Sequence, residues 1–155
     1  MSSDLLRVNG WLLLVDPLFT DQISELENKV RNDRAKYPGT FLTRNAAKRL
    51  AAIRKLILVD IPSNPASPNF RLGQTLGAKN KNWFRAKFFQ QYRLFFRFDS
   101  KSKIIIYCWV NDESTLRAYE SKTDAYLVFE HMLRDGRPPT SWNELLDRSS
   151  GLVAN

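Results

Sequence analysis

One cysteine, Cys108, and one histidine, His131, are all that this 155-residue chain offers of the two side chains that most often build metal centres and disulfides. A lone thiol excludes a disulfide framework and a Cys-based zinc site, and a lone imidazole excludes a His-pair metal site. His131 lies in a helical pattern between Glu130 and Met132 and reads as structural rather than catalytic. Long apolar runs are missing too. Near the start the longest is Trp11-Leu12-Leu13-Leu14-Val15, far short of the ~18 residues that a transmembrane helix needs. The first residues carry Asp4, only Arg7 as a base, and no small-residue cleavage site. The sequence therefore predicts no signal peptide, no membrane attachment and a cytoplasmic protein. Gly73 and Gly77 are too sparse for a phosphate-cradling loop, and no Ser/His/Asp or Cys/His set can be placed.

Acidic residues are scarce in one place above all. Across the chain, 24 Lys and Arg face 16 Asp and Glu, a net charge of +8, which points to an acidic partner such as nucleic acid. Residues 1–40 are near neutral. Residues 61–98 hold Arg71, Lys79, Lys81, Arg85, Lys87, Arg93 and Arg97 and no acid, interleaved with aromatic residues. Mere solvation would mix the signs, whereas this block creates a field of one sign. Length and composition fit a single soluble domain over residues 1–155.

The hydrophobic pattern predicts an α+β protein. Val8 to Val15 reads as a strand, and Asp16-Pro17 as the cap and first position of a helix carrying Phe19, Ile23, Leu26 and Val30 on one side. A second helix is predicted over about 40–60, with Leu42, Ala46, Leu50, Ile53 and Ile57 as its stripe, so that the two form a helical hairpin. Prolines and glycines make 61–81 a loop, long enough to suggest a functional segment. Three strand patterns follow. In the first, Phe84, Ala86 and Phe88 oppose Trp83, Arg85 and Lys87; in the second, Tyr92, Leu94, Phe96 and Phe98 oppose Arg93, Phe95 and Arg97. The third, Ile104 to Val110, is apolar on both faces and reads as central. A helical extension covers about 113–150, in which Asp124 reads as a cap. The expectation is an antiparallel four-stranded sheet with the helical hairpin on one face, additional C-terminal helices, and an open face bearing Arg85, Lys87, Arg93 and Arg97.

Two adjacent strands that present two cations each on one face call for an anion, because like charges ~5 Å apart repel. A phosphodiester backbone fits: arginine grips phosphate with paired hydrogen bonds, and Trp83 and Phe95 offer stacking surfaces for bases. On this reading Lys79, Lys81, Trp83, Phe95 and Arg97 bind nucleic acid.

Arg85-Ala86-Lys87-Phe88 followed by Tyr92-Arg93-Leu94-Phe95-Phe96-Arg97 resembles the tyrosine–arginine strand pair of the RelE superfamily of bacterial toxins. The closer resemblance is to its YhaV-type toxins. It runs in order through Arg7-Val8-Asn9-Gly10-Trp11, Asn64-Pro65-Ala66-Ser67-Pro68, Lys79-Asn80-Lys81-Asn82-Trp83, the stretch from Asn111 to Tyr119, Lys122-Thr123-Asp124-Ala125-Tyr126 and Pro138-Pro139. The resemblance implies a RelE-like fold and an endoribonuclease toxin of a type II toxin–antitoxin module, cutting mRNA, in some cases on the ribosome. The implied partner is a PrlF-like antitoxin in a hetero-oligomer, which alone would contact operator DNA. By position the resemblance implies catalytic roles for Arg85, Lys87, Arg93, Arg117 and Tyr119.

A metal-independent cleavage, with no cofactor, suits these residues. The RNA 2′-hydroxyl attacks the adjacent phosphate while Arg93 and Arg117 stabilise the developing charge. Arg85 and Lys87 hold the phosphate or depress a neighbour's pKa, and Tyr119 stacks on a base or relays a proton. Asp112, Glu113 and Asp124 are alternative acid–base groups, but each also reads as a helix-start cap, Asp124 above all. Arg93→Ala is expected to abolish cleavage with little effect on the fold, its side chain facing solvent. Other readings of the same residues are a non-catalytic nucleic-acid-binding module, a transcriptional co-repressor, or a surface that docks an acidic segment of an antitoxin.

Overall fold

The computed structural model describes residues 5–73, 75–115 and 124–152. A six-stranded mixed sheet runs through the molecule in the order β1 (Arg7–Val8), β2 (Trp11–Val15), β5 (Ile104–Val110), β4 (Tyr92–Asp99), β3 (Phe84–Phe88), with β6 (Ser150–Gly151) also paired to β2. The single strand expected over Val8–Val15 is a hairpin: Asn9 and Gly10, both at positive φ, turn the chain between β1 and β2. The expected antiparallel sheet is also corrected. β2 lies parallel to β5, Leu12 opposite Ile104 and Val15 opposite Tyr107, because the chain crosses over through both helices and two strands before returning.

Asp16 caps α1 (Pro17–Lys36): its carboxylate accepts the Leu18 amide at 3.1 Å, and Pro17 fills the first helical position, where no N–H is needed. Helix α2 (Asn45–Lys55) runs on through a π-helical stretch, Leu56–Asp60, and a last turn, Ile61–Ser63. The π register adds a residue to the turn, so the neighbouring Leu56 and Ile57 are both buried. Leu42 leaves the predicted stripe. It sits in a 3-10 turn ahead of α2 and is 70% exposed. The hairpin of α1 and α2 covers one sheet face, with Phe19, Leu50, Ile53, Ala86, Leu94 and Phe96 in its core.

The other face is not open. Helices α3 (Ala125–Arg134) and α4 (Trp142–Arg148), together with Leu72 and Leu76 of the proline-rich loop, cover it and build a second core around Phe129. Phe95 stacks on Phe129 with centroids 4.2 Å apart, and Trp83 meets its edge at 5.1 Å. A bulge between β4 and β5 pairs Phe95 with Trp109 but Phe96 with Tyr107. The extra residue, Cys108, lets Cys108 and Trp109 both enter this second core, which a regular strand could not do. Asp16 also pairs with Arg148, at 2.8 Å to Nε and 3.0 Å to Nη2, and so ties the end of α4 to the start of α1.

Candidate active site

The strands β3 and β4 pair Lys87 with Arg93 and Arg85 with Phe95, so three cations share one face near the turn that joins them. This turn has no glycine, yet Phe89 and Gln90 both take the left-handed conformation, φ 45° and 64°. Arg93 braces it: Nη1 donates to the carbonyls of Gln90 at 2.7 Å and Tyr92 at 2.9 Å.

From opposite strands, Arg85 and Arg93 converge on a single oxygen. The Tyr126 hydroxyl accepts from Arg85 Nε at 3.0 Å and from Arg93 Nε at 3.1 Å. Arg85 Nη1 donates to the Asn69 carbonyl at 2.7 Å, so the proline-rich loop helps to aim it. The Nη2 groups of both arginines have no hydrogen-bond partner among the described residues, and neither is sealed away as the indole nitrogen of Trp83 is. Lys87 is exposed beside them. Among the described residues no carboxylate pairs with any of these three cations. Such a group is an electropositive clamp with donors to spare, suited to the oxygens of a phosphate.

Asn111 fixes the clamp to the end of the sheet. Its carbonyl oxygen accepts the Arg93 amide at 2.6 Å, and its Nδ2 donates to the carbonyls of Gln91 at 3.0 Å and Thr115 at 2.8 Å. Next to it, the Asp112 carboxylate accepts from the Ser114 amide at 2.9 Å and hydroxyl at 2.7 Å. Partial burial pushes the Asp112 pKa up. The Ser114 and Thr115 hydrogen bonds and the Arg49 charge outweigh this and leave it below the ordinary carboxylate range. Asp112 is thus a cap for the Glu113–Thr115 turn, and Asp124 caps α3 through the Tyr126 amide at 3.1 Å.

Several expected site residues are placed elsewhere. Trp83 and Phe95 are 1% and 0% exposed in the second core, so their rings offer no face to a base. Arg97 is 6% exposed between Trp83 and Trp142, at 5.2 and 5.8 Å from their rings, and donates to the Thr140 carbonyl at 2.7 Å; burial lowers its pKa. This is a structural cation. Arg93 itself is 6% exposed, which corrects the expectation of a solvent-facing side chain whose removal would spare the fold. Lys79 and Lys81 are exposed in the loop before β3, and His131 is exposed on α3. Arg117 and Tyr119 lie outside the described residues. Among the described residues no group of His, Cys, Asp and Glu is arranged to hold a metal ion.

Sequence reasoning missed Tyr126 as a site residue. Its place in the Lys122–Tyr126 motif was a signal, but a tyrosine at the start of a helix reads as core, and the hydroxyl's two partners come from strands some 30 to 40 positions earlier.

Comparison with known proteins settles the kinship. A family described as a toxin with endonuclease activity, of a toxin–antitoxin system, matches residues 13–150. The chain is 48% identical over 141 residues to the protein named ribonuclease toxin YhaV of Escherichia coli K12, an alignment covering 90% of this chain and 92% of that relative. It belongs to the YhaV toxin family. Identity and coverage are the same for toxin YhaV of Escherichia coli O157:H7. No solved structure matches the chain. All residues of the clamp fall inside the stretch that defines YhaV toxins.

Proposed function

We propose that this chain, an RNA-cleaving toxin, holds the scissile phosphate with Arg85, Arg93 and Lys87, and that Tyr126 is the positioning residue that aims the two arginines. The observation that carries this reading is the convergence of both Nε groups on the Tyr126 hydroxyl. With each Nε occupied, every guanidinium keeps an Nη2 edge for a phosphate oxygen. The charge that builds on those oxygens during attack meets donors already in place, the arrangement that gives the largest electrostatic gain. The nucleophile is the RNA 2′-hydroxyl, held in line by the grip on its phosphate, and the step needs no metal. Arg117 and Tyr119 follow the Asn111–Thr115 turn in sequence and are assigned to the phosphate and to proton relay or base stacking.

The helical hairpin on one face and the Tyr92-Arg93 strand pair support a RelE-like fold over one domain. An antitoxin partner follows from the family, and we assign it to the PrlF-like class, bound as a hetero-oligomer. Among the described residues no helix is long and apolar enough to cross a membrane, which accords with action on cytoplasmic mRNA. The test is purified protein with RNA in EDTA. Products ending in 2′,3′-cyclic phosphate support the reading, with Lys87→Ala at least tenfold and Arg85→Ala at least a hundredfold slower. Intact RNA, or cleavage that EDTA abolishes, refutes it.

A further inference from the structure

Of the described aromatic residues Phe89 alone is exposed, at 51%. It opens the turn between β3 and β4, with φ at 45°, in the left-handed region that a bulky side chain rarely enters. That backbone conformation favours glycine, and that exposure favours a polar side chain, yet the chain places a phenylalanine there. Packing does not account for it. Among the described residues the one ring in contact is Phe88, at 5.6 Å and 62°, so no ring lies face to face on Phe89. A residue held against both its backbone and its solvent preference points to a role outside the fold.

Its position says which role. Arg93 reaches the same turn, where its Nη1 donates to the Gln90 carbonyl at 2.7 Å. By chain geometry the Phe89 Cα then lies within about 10 Å of that guanidinium nitrogen. Phe88 and Tyr92 are the last paired residues of the ladder, so Phe89 stands beyond it, at the rim where the clamp's face meets the face under the helical hairpin. Lys87 is exposed two positions earlier, and residues 61–98 hold no acid. We propose that Phe89 is a base-stacking residue for the RNA substrate: a nucleobase next to the scissile phosphate lies on its ring while Arg85, Lys87 and Arg93 hold that phosphate. The proposal rests on the ribonuclease reading. Phe89 takes the role that Trp83 and Phe95, sealed in the second core, do not fill. No other large apolar residue from Phe84 to Asp99 is exposed. A single ring among cations suits a base joined to a phosphate better than it suits the apolar patch of a protein partner.

The test uses RNA in which 2-aminopurine replaces the base on one side of the cut or on the other, and hydrogen replaces the cleavage-site 2′-hydroxyl. Stacking quenches 2-aminopurine fluorescence. Saturating wild-type protein is expected to quench one of the two positions; Phe89→Leu at saturation leaves that position bright, and Phe89→Trp restores the quench. Phe89 is exposed, so these variants keep the fold. On all-ribose RNA, Phe89→Leu should raise KM about tenfold with kcat within twofold, since stacking holds bound substrate and transition state alike. The slope of log affinity against log salt should stay at its wild-type value, because no phosphate contact is lost. Equal quenching by wild type and Phe89→Leu overturns the proposal whatever happens to KM, as does a variant that changes only neutralisation by the antitoxin. Should the quench depend on the ring as expected while the wild type leaves all-ribose RNA intact, the ribonuclease reading falls and the stacking site stands.

Discussion

Tyr126→Phe removes one oxygen and keeps the ring, so the edge contact with Phe95 at 5.6 Å survives. What goes is the acceptor shared by Arg85 Nε and Arg93 Nε. Hydrogen bonds to charged groups contribute about 1.5–3 kcal/mol each when buried. Arg85 is partly exposed and water can replace its lost partner; Arg93 is buried and has no such relief. The expected loss of stability is therefore about 1.5–2.5 kcal/mol, read as a lower denaturant midpoint at unchanged slope. The effect on the reaction is separate. Freed at Nε, each guanidinium swings about its side-chain torsions, and kcat should fall ten- to a hundredfold, about 1.4–2.7 kcal/mol of transition-state stabilisation. KM should change less than threefold, because both charges remain. Single-turnover cleavage together with urea unfolding decides the matter. A variant with wild-type kcat refutes the clamp; one with wild-type stability refutes the accounting for Arg93.

Four further outcomes follow from the same contacts. Asp16→Ala removes the α1 cap and leaves the Arg148 guanidinium without its carboxylate, and should cost about 2–3 kcal/mol in urea unfolding. Gln90→Gly relieves a left-handed non-glycine residue and should raise stability by about 0.5–1 kcal/mol, measured the same way. Burial holds the Cys108 thiol well above its ordinary pKa of 9.0, so the folded chain keeps it neutral while the unfolded chain ionises. Stability should be undiminished below pH 9 and decline above it, and a thiol reagent should label Cys108 only on unfolding. Asp112 has the opposite sign. Its depressed pKa contributes stability that is complete above 3.8 and is lost as pH falls further, and Asp112→Asn should flatten that acid limb.

Much of the frame was legible because it rests on local chemistry. Asp16-Pro17 announces a helix start, and the alternation from Phe84 to Phe98 set the faces of β3 and β4 correctly. The fate of one face was not legible. Alternation shows that Trp83, Arg85, Arg93, Phe95 and Arg97 point the same way; it does not show what covers them. The covering helix α3 starts some 30 residues beyond Phe95, and its central ring, Phe129, reads in sequence as an ordinary apolar residue of an amphipathic helix. Cations in such a face look solvent-borne, whereas Arg97 ends between two indoles and Arg93 under a tyrosine. The bulge at Cys108 was hidden for a related reason: a strand apolar at every position carries no alternation to break. Strand spacing placed Arg85, Lys87 and Arg93 on one face, and the pairing of β3 with β4 does the same. Tyr126 and Asn111 act through contacts that only the tertiary fold creates.

The claim that two guanidiniums are gathered to grip one phosphate is tested most directly by the single-turnover cleavage rate of Arg85→Ala. Arg85 is the less buried of the pair, so its removal leaves the second core in place. The account predicts a folded protein that still binds RNA and cuts it at least a hundredfold more slowly. Cleavage at the wild-type rate by that variant would contradict it.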